Sequence, residues 1–182
     1  MNIYETPLMG ERIKGNPYVG RGIVIGKTAD GKKAAVAYFI MGRSANSRNR
    51  VLVERDGTLY TEPYDASLVE DPSLIIYAAI RRYADKLVVT NGDQTDTVVE
   101  FLQRGGSFEE ALQTREFEPD PPNLTPRISG MLTFGEGDFS YRMSILKSAD
   151  AEGTACNRYT YNYAPLAGVG HFIHTYVTDG NP

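Results

Sequence analysis

Four prolines, Pro119, Pro121, Pro122 and Pro126, crowd the stretch from Glu118 to Arg127 and restrict the fold more than any other feature of the chain. Each lacks a backbone donor, and each biases the residue before it away from helix. The stretch is expected to be extended and stiff, never helical. It divides the chain into two parts with different hydrophobic patterns.

Ahead of the prolines, after a polar lead-in ending near Pro17, Val19 to Ile25 and Ala34 to Met41 read as two strands. They are joined by Thr28-Ala29-Asp30-Gly31, whose Asp-Gly step signals a hairpin. Val51 to Glu54, the Asp56-Gly57 turn and Leu59 to Thr61 give a second hairpin. The pattern then changes. Ser73 can act as an N-cap, and Leu74 to Tyr83 is longer than most buried strands, so a helix is expected there. Leu87 to Thr90 reads as a short buried strand. It leads through Asn91-Gly92 into a helix from about Thr95 to Arg104, stopped by Gly105-Gly106. Ser107 with Glu110 carries a capping-box signature for another helix ending near Arg115. Beyond the prolines, Met131 to Phe134, Phe139 to Leu146, Tyr159 to Tyr163 and Phe172 to Val177 alternate with Gly-rich turns and read as strands. Strands at both ends around a helical middle predict an α+β layered domain, with two stacked antiparallel sheets carrying helices outside.

At 182 residues and 41% apolar side chains, residues 1–182 are expected to form a single domain with a substantial core. The formal net charge of −4 argues against a nucleic-acid polymer as partner, so any anion has to be held by a local cluster of arginines. Cys156 is the only cysteine, which excludes an internal disulfide. The N-terminus lacks the basic start and long apolar core of a signal peptide, and the expected compartment is cytoplasmic. No apolar run approaches the roughly 20 residues that span a bilayer, so no membrane partner is expected. The oligomeric state is open, with a homo-oligomer allowed.

Three clusters carry candidate chemistry. The run Gly42 to Arg50 places Arg43, Arg48 and Arg50 among Ser44, Asn46, Ser47 and Asn49. Planar guanidinium donors match phosphate or carboxylate oxygens two at a time, and Ser and Asn add neutral donors. On spacing alone the same run reads as a solvated, charged loop between two strands. Asn91-Gly92-Asp93-Gln94-Thr95-Asp96-Thr97 sits where a strand meets a helix. Its Asp and Thr can cap the first amides, or the motif can touch ribose hydroxyls or base edges, since Asp96 would repel a phosphate. Glu116 and Glu118 flank Phe117, and a carboxylate braced by prolines can serve as a general base. Tyr77 is either a core residue or a proton donor to a developing oxyanion, with Arg81 sharing its face four residues on. His171 and His174 would face opposite ways in a strand, so no metal site is expected. Gly168-Val169-Gly170 reads as a turn.

Together, Tyr18-Val19-Gly20-Arg21, the Arg-Ser run, Asn91 to Thr97 and Thr125-Pro126-Arg127 make the stretch from Tyr18 to Arg127 resemble the archaeal-type inosine monophosphate (IMP) cyclohydrolases. The resemblance implies an N-terminal-nucleophile-hydrolase-like fold, a four-layer αββα sandwich without the N-terminal nucleophile that names it. It also implies closure of 5-formamidoimidazole-4-carboxamide ribonucleotide (FAICAR) to IMP with loss of water, the last step of purine synthesis, with no cofactor. The catalytic Arg, Tyr and Glu of the family match Arg48, Tyr77 and Glu118. Glu118 aligns only after a one-residue shift, so Glu116 stays an alternative. The expected contacts to the purine nucleotide are Arg43, Ser44, Arg50, Arg81, Asn91, Gly92, Thr95, Asp96, Thr97 and Arg127, and none is assigned after Arg127. Two other readings are a nucleotide-binding protein of this fold without turnover, and an amide hydrolase whose nucleophile is exposed by processing.

Overall fold

Strands account for most of the regular structure in the computed structural model, which describes residues 5–69, 72 and 75–178. A five-residue helix, α1 (Met9–Ile13), precedes the first expected hairpin, β1 (Arg21–Lys27) and β2 (Ala34–Ile40). The Arg-rich run holds one helical turn, α2 (Ala45–Arg48), rather than only loop, because Ser44 caps it by accepting from the Ser47 amide. The second hairpin, β3 (Val51–Arg55) and β4 (Thr58–Glu62), is also present, followed by β5 (Tyr77–Tyr83) and β6 (Lys86–Thr90). Next come α3 (Gln94–Gln103) and α4 (Phe108–Gln113), the latter with its capping box formed by Ser107 and Glu110. After the prolines run β7 (Arg127–Phe134), β8 (Phe139–Ser148), β9 (Cys156–Tyr163) and β10 (Gly170–His174).

The helix expected from Ser73 to Tyr83 is a correction. Ser73 and Leu74 lie outside the described residues, and Tyr77–Tyr83 is a strand between β4 and β6. A continuous apolar run suits a buried strand as well as a buried helix, and pairing on both edges decides the matter. The proline segment is also not extended. The Glu118 amide donates to the Thr125 carbonyl at 2.8 Å, and the Asp120 carboxylate accepts from the Thr125 amide and hydroxyl at 2.7 and 2.6 Å. The segment thus closes into a loop braced by Asp120.

Among the described residues, β10-β1-β2 make a three-stranded sheet and β3 to β9, in chain order, a seven-stranded one. Both sheets are antiparallel throughout. Their facing sides share a core of Ile23 and Ile25 against Val89, Ile128, Leu132 and Met143. On the far face of the larger sheet, Val98, Val99, Phe108 and Leu112 of the helices pack on Val88, Met131 and Leu146. The packed layers among the described residues are therefore sheet, sheet and helix; α1 buries no residue. A β-bulge in β5 matters for the site. Leu59 pairs with Ile80 but Tyr60 pairs with Ala78, so Ala79 is an extra residue and the side-chain alternation flips across it. Tyr77 and Ile80 consequently share the inner face, and Arg81 turns to the helical side, where it meets Asp96 of α3 at 2.7 Å. The expectation that Tyr77 and Arg81 share a face fails for this reason.

Candidate active site

Strand alternation points Arg21, Ile23 and Ile25 of β1 toward the second sheet; the two isoleucines fill the core, and Arg21 comes at the strand's start, at one end of the sandwich. Tyr38 projects inward from β2, and Tyr77 from the start of β5 opposite it. Their hydroxyl oxygens lie 2.6 Å apart. Glu118, at the base of the proline loop, is 3% exposed and accepts from Arg21 Nη1 at 2.8 Å. Arg127 is buried behind Glu118. Its Nη1 donates to Asp93 Oδ1 at 2.7 Å and to Gln94 Oε1 at 2.8 Å.

Electrostatics tune this cluster. Burial pushes the Glu118 carboxyl above the usual carboxylate range, although Arg21 and Arg127 pull the other way. Burial also raises Tyr77, opposed by Arg21, by the hydrogen bond shared with Tyr38 and by Arg50, while Glu118 adds to the rise. Tyr38 is raised well above its ordinary value, first by burial and then by Tyr77. For Arg21, burial works against the charge, but Glu118, Tyr77 and Tyr38 outweigh it and keep the guanidinium protonated. Arg50 reaches the same tyrosines through its field, and its buried Nε and Nη1 have no hydrogen-bond partner among the described residues. A buried donor without a partner costs free energy, and an arriving oxygen recovers it.

Beside the cluster opens a cavity of about 140 Å³, lined by Arg21, Arg43, Ser44, Ser47, Thr125 and Tyr176 among others. The Arg43 guanidinium lies 5.3 Å from the ring centroids of both Tyr18 and Tyr176. Tyr176 is fixed in turn by Thr125, oxygen to oxygen 2.6 Å. Gly20 is what lets these parts meet. Its φ is +75°, and a Cβ there would sit 2.1 Å from Thr175 Oγ1.

The structure distributes the expected residues unevenly. Glu118 and Tyr77 come together, with Arg50 acting on Tyr77. Arg43 and Ser44 line the cavity, while Arg48 is exposed at the end of α2. Glu116 is at the surface, 3.8 Å from Arg158, with its side chain 66% exposed. Most of the Asn91 to Thr97 motif braces the backbone. Asn91 accepts from the Ile128 amide and donates to the Pro126 carbonyl, and the Thr95 and Thr90 hydroxyls bond each other. Asp93 makes no side-chain cap. It accepts from Arg115 and Arg127 instead. Thr97 accepts from Arg115 at 3.3 Å. Gly92 touches the site, because a Cβ there would lie 2.6 Å from Arg127 Nη1. Sequence reasoning missed Arg21, Tyr38 and Tyr176 as site residues. Alternation along β1 and β2 carries the signal for the first two; Tyr176 follows the last strand and has no local signal. Among the described residues, no group of three or more His, Cys, Asp and Glu could hold a metal ion.

A buried carboxylate held above its ordinary pKa, a pair of phenols and a frame of guanidiniums are the parts of an acid–base site with affinity for anions. The chain belongs to the IMP cyclohydrolase-like protein family, whose model matches residues 18–182 and so runs well past Arg127. It is 35% identical over 147 residues to the IMP cyclohydrolase of Methanopyrus kandleri, covering 75% of this chain and 72% of that one. The IMP cyclohydrolase of Natronomonas pharaonis is 34% identical over 72% of this chain and 65% of its own. That of Methanococcus maripaludis is 33% identical over 68% and 62%. The chain thus spans less than two thirds of the length of the latter two. No helix among the described residues is long and apolar enough to cross a membrane.

Proposed function

We propose that residues 1–182 form one IMP cyclohydrolase-like domain that closes FAICAR to IMP in purine biosynthesis. The observation that carries this is Glu118, buried between Arg21 and Arg127 and near enough to Tyr77 to act on its titration. Family membership supplies the substrate, and a cytoplasmic setting goes with it. The two stacked sheets support a reading as an N-terminal-nucleophile-hydrolase-like sandwich.

The reaction is intramolecular, so holding the formamido group over the carboxamide nitrogen supplies much of the acceleration. As that nitrogen attacks the formyl carbon, Glu118 takes its proton and Tyr77 protonates the formyl oxygen, giving a cyclic carbinolamine. The carbon–oxygen bond then breaks. Glu118 returns its proton to the departing hydroxyl, which leaves as water, and Tyr77 recovers a proton from the ring nitrogen. Arg50, with its unpartnered nitrogens, polarises the formyl oxygen. Arg48, exposed at the end of α2 within the same run, serves as a further contact to the nucleotide. The cavity beside Arg43 takes the phosphate; at about 140 Å³ it is smaller than the roughly 300 Å³ of a full ligand pocket and suits one end of a nucleotide. Arg127, Gly92 and the rest of the Asn91 to Thr97 motif hold Glu118 and the start of β7 in place.

Incubating the protein with FAICAR and following the absorbance of the purine product tests this. Turnover is expected. Binding of FAICAR or IMP without turnover would identify a binding protein that kept the site and lost the chemistry.

A further inference from the structure

We propose that Tyr38 is a positioning residue for this ring closure: its hydroxyl donates a hydrogen bond to Tyr77 Oη, leaving the Tyr77 proton free for the substrate. The inference rests on the cyclohydrolase reading above and deepens it.

A phenol has one proton to give and lone pairs to accept with. The hydroxyl oxygens of Tyr38 and Tyr77, 2.6 Å apart, therefore share one proton between them and leave the other phenol with its own. Neither hydroxyl has another hydrogen-bond partner among the described residues. Tyr77 is the acid in the reading above, so it keeps its own proton for the substrate and Tyr38 supplies the shared one. Arg21 and Arg50 act on both rings, and Glu118 is among the charges that act on Tyr77.

The backbone makes this arrangement rigid. Tyr38 is opposite Ile23 in the β1–β2 register and packs with Ala34 and Val36 against the shared core. Tyr77 is anchored by the neighbouring strand, β4. Its amide donates to Thr61 Oγ1 at 3.2 Å, and that hydroxyl donates to the Ile75 carbonyl at 2.6 Å. Two phenols on facing sheets are thus held at a fixed separation without a lid. When Tyr77 gives its proton to the formyl oxygen, the charge left on its own oxygen meets a donor already aimed at it, with Arg21 and Arg50 alongside. Donors fixed before charge develops need no reorganisation at the moment of reaction.

The test is Tyr38→Phe, which removes one oxygen and keeps the ring. The expected result is a fall in kcat of about 10- to 100-fold with KM changed less than about threefold. Tyr77 must be protonated to act as the acid, so activity falls at high pH as it ionises. Loss of a donated hydrogen bond raises its pKa, and the basic limb of the kcat profile should move to higher pH. Arg21, its charge favoured by Glu118 and the two phenols, stays charged throughout, and Glu118 governs only the acidic limb. Adding Tyr38→Phe to Tyr77→Phe should cause no further loss in kcat. A fluorotyrosine at position 38, a better donor that keeps the bond, should move the basic limb down. Unchanged kcat and an unmoved basic limb in Tyr38→Phe would overturn the inference, as would a full additional loss in the Tyr77→Phe background. Should the unsubstituted protein not turn over FAICAR, the cyclohydrolase reading fails and with it the role in ring closure, but not the hydrogen bond from Tyr38 to Tyr77. Ultraviolet titration of the phenols then still tests the bond, with the Tyr77 transition expected higher in Tyr38→Phe and the inference overturned if it is not.

Discussion

Glu118 and Glu116 are two residues apart and chemically identical, yet they stand in opposite environments. One is enclosed with Arg21; the other is solvated near Arg158. Glu118→Gln and Tyr77→Phe are each expected to lower kcat about 100-fold or more while nucleotide binding holds, whereas Glu116→Gln should leave both within about twofold. Steady-state kinetics with FAICAR and binding of IMP by calorimetry read the difference. The arginines of the opening run divide similarly. Lys keeps the charge of Arg but loses its two-pronged geometry. Arg50→Lys should therefore lower kcat/KM by about 10- to 100-fold, the scale of one charge-assisted hydrogen bond. Arg48→Lys should also impair turnover, by less, and hardly shift the melting temperature, since exposed substitutions change stability by less than about 0.5 kcal/mol. Wild-type kinetics in both variants would remove the run from the site. At this scale the sequence supplied residue types and candidates. Burial chose among them, and burial depends on contacts such as Glu118 with Arg21 that lie 97 residues apart.

The start of α3 is held by an anion rather than by a cap. Asp93 joins Arg115, after α4, to Arg127 at the start of β7, so three elements meet on one carboxylate. Burial works to raise its pKa, but the bonds and charges of Arg115 and Arg127 outweigh that and hold it below the usual carboxylate value. A depressed folded pKa contributes stability that is present above the unfolded value and lost as pH falls through the folded one. Asp93→Asn should therefore lower the melting temperature at pH 7. The variant should also lose less stability than the unsubstituted protein as pH falls from about 5 to 3. Equal acid sensitivity in thermal melts of the two proteins would show that Asp93 does not anchor these elements. The elements themselves were legible where local chemistry is decisive: the Asp-Gly hairpins, the capping box of α4 and the Gly105 stop, whose φ is +80°. They were not legible where it is silent. The run that forms β5 carries the same apolar residues a buried helix would.

The molecule places its ionisable cluster at the end of the sandwich, where strand termini from both sheets converge and the apolar core gives way to loops. That position is buried enough to disfavour charge on Glu118, and it has one arginine from each sheet, Arg21 and Arg127, to limit the shift. If Glu118 is the base, it must be ionised, and activity will fall as pH drops through its folded pKa. The acidic limb of kcat/KM is thus expected above the ordinary glutamate value of 4.5, and a limb at or below that value would place the base elsewhere. Sequence alone determined the α+β class, the antiparallel hairpins, the break at the prolines, the family motifs from Tyr18 to Arg127 and the pool of acid, base and guanidinium residues. Each of these is written in neighbouring residues through periodicity, turn chemistry or spacing. Tertiary structure alone decided that Tyr77 is on a strand, that a bulge sends Arg81 away from it, that Tyr38 meets its hydroxyl, and that Tyr176 closes the cavity. Those outcomes depend on strands far apart in the chain coming face to face, which is set by packing of the whole core and leaves no mark in any short stretch of residues.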